Sequence, residues 1–106
     1  MIWPRGRMRV WVRAAPTDLR KGYMGLSALV MSEMGHDLLE GDLFVFVSKH
    51  RKSVKILRWD GTGLCLYCKR ISRGRFAAVW RRAAGEVVAI SRADLLLFLD
   101  GHKRAP

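Results

Sequence analysis

Cysteine is scarce: two in 106 residues, too few for a disulfide framework in a chain long enough to bury its own core. Long apolar runs are missing too. Leu95–Leu99 is typical, far short of the roughly 20 residues that a spanning helix needs. The opening MIWPRGRMRVWVR carries charge without the apolar core of a signal peptide, so the expected compartment is the bacterial cytoplasm. There is no P-loop, no GxGxxG and no internal repeat. These absences leave a single folded domain over residues 1–106, half of it apolar by composition.

Acidic residues are few and unevenly placed. Nine Asp and Glu face 20 Lys and Arg, for a net charge of +11. Residues 1–21 hold six basic residues and one acid, and residues 22–48 hold four acids with no Lys or Arg. Residues 49–82 hold eleven basic residues against Asp60 alone, and the remainder balances. Segregation this strong suggests a polyanion partner, because unneutralised like charge destabilises a compact state. Nucleic acid fits best. An anionic membrane, a protein partner or plain solubility are the alternatives, although a solubilising surface usually intersperses both signs.

Residues 43–76 organise the rest. Three apolar runs, Leu43–Val47, Val54–Trp59 and Leu64–Cys68, are separated by the cationic Lys49–Ser53 and by Asp60–Gly63, whose Asp-Gly pair is a strong hairpin signal. They predict a three-stranded antiparallel meander. Its first strand has Leu43, Val45 and Val47 on one face and Phe44 and Phe46 on the other, as a central strand would. The tip should project Lys49, His50, Arg51 and Lys52 into solvent.

Upstream, residues 1–9 read as an extended basic arm with Arg5, Arg7 and Arg9, running into a strand over Met8–Arg13 whose Trp11, flanked by Arg9 and Arg13, suits either base stacking or packing into a small core. Thr17 or Asp18 can cap a helix of about 17 residues, with an apolar stripe of Leu19, Tyr23, Leu26, Val30 and Met34 ended by Gly35. Arg20 and Lys21 then fall in its first turn, against the dipole, a placement that suits a bound phosphate as well as two solvated cations. Downstream, Phe76–Trp80 reads as a fourth meander strand, with turns at Gly74 and Gly85. Val87–Ile90 reads as a further strand. Ser91 and Asp94 open a short helix closed by Gly101, and residues 102–106 form a loose tail. The order implies an α+β fold of five to six mostly antiparallel strands, with one longer and one short helix on one face.

Catalytic chemistry finds little support. Cys65 and Cys68 have CxxC spacing, but strand residues three apart point to opposite faces, and no second pair completes a metal site. His36 beside Asp37 has no further ligand at metal spacing and reads as a loop residue. A metal-dependent nuclease needs converging carboxylates. Asp18, Asp60, Asp94 and Asp100 are explained by caps and turns, leaving Glu86. No cofactor, metal site or small-molecule substrate is expected.

The segments VWV at 10–12, TDLRKGYMGL at 17–26, GDLFVF at 41–46, VKILRWDGTGLCLYCKRISRGRF at 54–76 and ISRADLLLFLDG at 90–101 resemble the TnpB-type accessory proteins. These are the small second-reading-frame proteins encoded beside the transposase of a family of bacterial insertion sequences, distinct from the RNA-guided nucleases of the same name. Departures are small: Tyr23 for the usual Phe, Met24 where an acid is common, Cys68 where a small residue is frequent. The resemblance implies a helper role in transposition, with the transposase as partner, and brings no catalytic site. Together with the charge it points to a non-catalytic DNA-binding accessory factor. Its phosphate-contacting surface is Lys49, Arg51, Lys52, Lys55, Lys69, Arg70, Arg73 and Arg75, supplemented by Arg20, Lys21 and the N-terminal arginines. The alternatives are a protein-interaction subunit docking on the transposase, through the acidic loop 36–42, and a small metal-dependent nuclease.

Overall fold

The computed structural model describes residues 8–78 and 87–101. Arg5 and Arg7 of the arm, Trp80, Gly85, Glu86 and the tail 102–106 lie outside the described residues. A five-stranded sheet is built from β1 (Val10–Arg13), β2 (Leu43–Val47), β3 (Ser53–Trp59), β4 (Leu64–Arg70) and β5 (Val87–Ile90), in spatial order β4-β3-β2-β1-β5. Helix α1 (Tyr23–Leu29) runs into a π-helical turn, Val30–Met34, and α2 (Arg92–Leu99) closes the described chain. The fold is α+β.

The meander forms as the apolar runs dictate. β3 pairs antiparallel with both β2 and β4, without interruption, and β1 pairs antiparallel with β5. Only β1 and β2 run parallel, which obliges the chain between them to cross over, and α1 makes that crossing. All five residues of β2 are buried, as its two apolar faces require of the middle strand.

Those two faces also decide where the helices go. Val45, Val47, Val54 and Ile56 pack with Phe76, Leu95, Phe98 and Leu99, so α2 covers one face. Phe44, Phe46 and Leu57 pack with Leu26, Val30, Met34 and Leu38, so α1 and its continuation cover the other. The expectation of both helices on one face is therefore corrected to one helix on each. Leaving Phe44 and Phe46 uncovered would forfeit roughly 1.5–3 kcal/mol apiece.

The first helix is shorter than its apolar stripe suggests. Asp18 accepts the backbone N–H of Arg20, and the Lys21 N–H bonds the Asp18 carbonyl, so residues 18–21 form a tight turn instead of a helical start. Gly22 then precedes the helix without a side-chain cap. Arg20 and Lys21 consequently sit before the helix and not in its first turn. Tyr23, expected on the buried stripe, is 48% exposed, whereas Leu26, Val30 and Met34 are buried as expected. Ser27 and Ser32 donate to the carbonyls four residues back, competing with the backbone ladder where it widens into the π turn. Gly35 ends the segment in the left-handed conformation.

Phe76–Ala78, the start of the expected fourth meander strand, are irregular chain. The Phe76 N–H bonds the Arg51 carbonyl and its ring stacks on Phe98 at 5.2 Å, so the segment plugs the core under α2 instead of extending the sheet.

Candidate nucleic-acid interface

The hairpin between β2 and β3 is closed by backbone and side-chain bonds between Ser48 and Ser53. Within it Arg51 adopts φ +60°, and its N–H returns to the Ser48 carbonyl. A non-glycine residue there is held by its surroundings. Here the Arg51 carbonyl accepts from Phe76, and its guanidinium donates to the Phe76 carbonyl. The Ile71 N–H bonds the Lys52 carbonyl. Three bonds thus lace the tip to the loop 71–76 that follows β4. Arg51 is half-buried and structural, which corrects the expectation of a fully exposed tip, while Lys49, His50 and Lys52 are exposed.

Around this junction three shallow depressions run together, and Arg70 lines all of them. One of about 410 Å³ is bordered by Ser48, His50, Lys52, Ser53, Arg70 and Arg75. A second adds Ile71, Ser72 and Gly74, and a third extends past Lys55, Cys68 and Lys69 towards Leu19. No Asp or Glu lines any of them. Among the described residues, no acidic side chain pairs with Lys52, Arg70 or Arg75; Arg13 pairs with Glu33 and Arg20 with Asp18.

The expected contact residues therefore separate into groups. Lys52, Arg70 and Arg75 converge on the groove, and Arg73 and Lys49 are exposed at its margins. Lys55 donates to the Lys21 carbonyl, fastening the turn before α1, and Lys69 donates to the Leu99 carbonyl at the end of α2. Strand alternation explains the contrast between neighbours: Lys69 falls on the α2 side of β4 and Arg70 on the other. Arg20 is chelated by Asp18, at 2.7 Å, and Lys21 is exposed before α1. The Arg9 side chain is exposed while its N–H is fixed by Asp42. His50 was not singled out by charge counting at neutral pH, and its place in the groove depends on the tip's geometry.

The remaining singled-out residues are structural. Trp11 stacks on His36 at 3.9 Å and donates its indole N–H to Asp42. Asp42 is buried, so one acid of the loop 36–42 belongs to the fold. Cys65 and Cys68 occupy opposite faces of β4, as alternation requires. The Cys65 thiol donates to Asp60, which pushes its pKa up and disfavours the reactive thiolate. Asp60 itself accepts from the Thr62 and Gly63 N–H groups, which lower its pKa to about 2. Arg20 holds Asp18 down to about 2 likewise. Both acids serve turns, and neither lines the groove.

The model of the family described as IS66 Orf2 like protein matches residues 8–106. The chain belongs to the IS66 Orf2-like family. Membership associates it with the transposition machinery of an insertion sequence. Among curated relatives, the uncharacterised protein y4hO of Sinorhizobium fredii is 40% identical over 99 residues, 92% of this chain and 84% of the relative. The uncharacterised y4jC of the same organism is 40% identical over 76 residues, 72% of this chain and 65% of the relative. No solved structure matches. Among the described residues, no helix is long and apolar enough to cross a membrane.

Proposed function

We propose that this IS66 Orf2-like protein is a non-catalytic accessory factor that holds DNA during transposition in the bacterial cytoplasm. The carrying observation is the groove around Arg70, where Lys52 and Arg75 converge and no Asp or Glu stands among the described lining residues. A surface that gathers cations from a hairpin tip, a strand end and a loop suits a phosphate backbone, which presents charges in series. The longer helical segment offers no base-reading face, since α1 contains no Lys or Arg. Affinity should accordingly be mainly electrostatic and weakly sequence-specific, with the transposase of the same element supplying the chemistry.

The test is binding of the full chain to element-end duplex and to random duplex of equal length, with and without transposase. The reading expects similar affinity for both duplexes by the accessory protein alone. Absence of binding to either at low salt would defeat it.

A further inference from the structure

His50 brings to the groove a charge that depends on pH. It stands on the hairpin tip between Lys49 and Arg51 and borders the same depression, of about 410 Å³, as Lys52, Arg70 and Arg75. Lysine and arginine stay charged through the neutral range, whereas an imidazole exchanges its proton between about pH 5 and 8. The backbone around His50 is held. Bonds between Ser48 and Ser53 close the hairpin, and the adjacent Arg51, at φ +60°, is tied to Phe76. Among the described residues the His50 ring makes no hydrogen bond or ring contact, so both nitrogens are open to a ligand. His36 is used differently, stacked on Trp11 at 3.9 Å.

The charged groups that border this depression are Lys52 on the tip, Arg70 at the end of β4 and Arg75 in the loop 71–76; Ser48 and Ser53 complete its lining. Lys49 and Arg51 flank His50 in the chain. Among the described lining residues no Asp or Glu supplies the anion that an imidazolium would pair with. A phosphodiester does. It carries a fixed negative charge, and an anion within hydrogen-bond reach favours the charged ring and accepts its N–H. We infer that His50 is a proton-linked phosphate ligand: as DNA enters the groove, an imidazole nitrogen takes a proton from solvent and donates it in a hydrogen bond to a phosphate oxygen. The inference rests on the DNA-binding reading and adds its regulation, a fourth cationic contact that is present in acid and lost in base. Because the bound chain holds more protons than the free one, affinity falls as pH rises through the range where the bound ring releases its proton. It levels off in acid, once the free ring is charged as well.

The test measures duplex binding by the full chain between about pH 5.5 and 8 at fixed ionic strength. Two variants accompany it: His50→Gln, which keeps a hydrogen-bonding side chain without a charge, and His50→Arg, which is charged throughout. His50 is exposed, so neither replacement removes core packing. The wild type should bind up to about fivefold more tightly at the acid end, the range of an exposed ion pair. Its slope of log K against log[salt] should be steeper there by about 0.9, one further phosphate contact. His50→Gln should lose both differences, and His50→Arg should keep the steeper slope at every pH. Other groups that titrate in this range, His36 and His102 among them, are common to all three proteins and cancel in the comparison. Duplex binding with the same pH profile and slopes in wild type and His50→Gln overturns the inference and leaves the DNA-binding reading intact. Absence of duplex binding at low salt overturns both.

Discussion

Gly101→Ala offers a quantitative test of how the loop after β4 is held. Gly101 ends α2 at φ +83°, and a Cβ built there would sit 2.7 Å from Ile71 Cδ1. Two penalties combine. The left-handed backbone costs a non-glycine residue about 1–2 kcal/mol. The overlap forces Ile71 to move, adding about 1 kcal/mol at the low end of the range for overpacking. Ile71→Val deletes the clashing methyl and alone should cost about 0.5–1.5 kcal/mol. The two changes should not add. With Cδ1 gone, Gly101→Ala retains only its backbone penalty, so the double variant should be more stable than the sum of singles by about 1 kcal/mol. Urea unfolding of the four proteins, at constant m-value, measures the coupling. Additivity within error would refute the contact between Ile71 and the end of α2.

Lys69→Ala and Arg70→Ala should separate the two neighbours. Lys69→Ala removes the bond to the Leu99 carbonyl and should lower stability by about 0.5–1.5 kcal/mol. Arg70→Ala should leave the unfolding midpoint nearly unchanged and weaken DNA binding, flattening the salt dependence by about one phosphate contact. The Asp60 carboxyl, held to about 2 by the Thr62 and Gly63 N–H groups, should titrate near that value by carbon-detected NMR. Its folded pKa lies below the ordinary unfolded value near 4. The stability it contributes is therefore complete above about pH 4 and is lost as pH falls towards 2. A midpoint near 4 would contradict the hydrogen-bonded turn.

The strands were legible because their signals are local. The alternation in 43–70 and the Asp-Gly pair at 60–61 are enough to draw the meander, and the double-faced Leu43–Val47 marks the central strand. The same double-faced strand required a cover on each side, an implication that an α+β order of elements alone does not convey. The start of α1 was misplaced because the Asp18 carboxylate competes for the Arg20 N–H, a choice that apolar spacing cannot reveal. Phe76 looked like a strand residue because hydrophobicity reports burial and not the direction of the chain. Charge counting found the right region for the groove but could not rank its members. Lys55, Lys69 and Arg51 are drawn onto backbone carbonyls by contacts between 25 and 34 residues apart in sequence. Lys52, Arg70 and Arg75 become a set only when the tip and the loop are laced together.

The central claim is that this groove holds DNA through its phosphates. The most direct measurement is the salt dependence of duplex binding for the wild-type chain and for a Lys52→Ala, Arg70→Ala, Arg75→Ala triple variant. With about six phosphates neutralised, log K against log[salt] should have a slope near −5 for the wild type. The variant should lose about 2.7 of that slope, about 0.9 for each cation removed. An equal slope in both proteins would place the DNA contacts elsewhere and contradict the account.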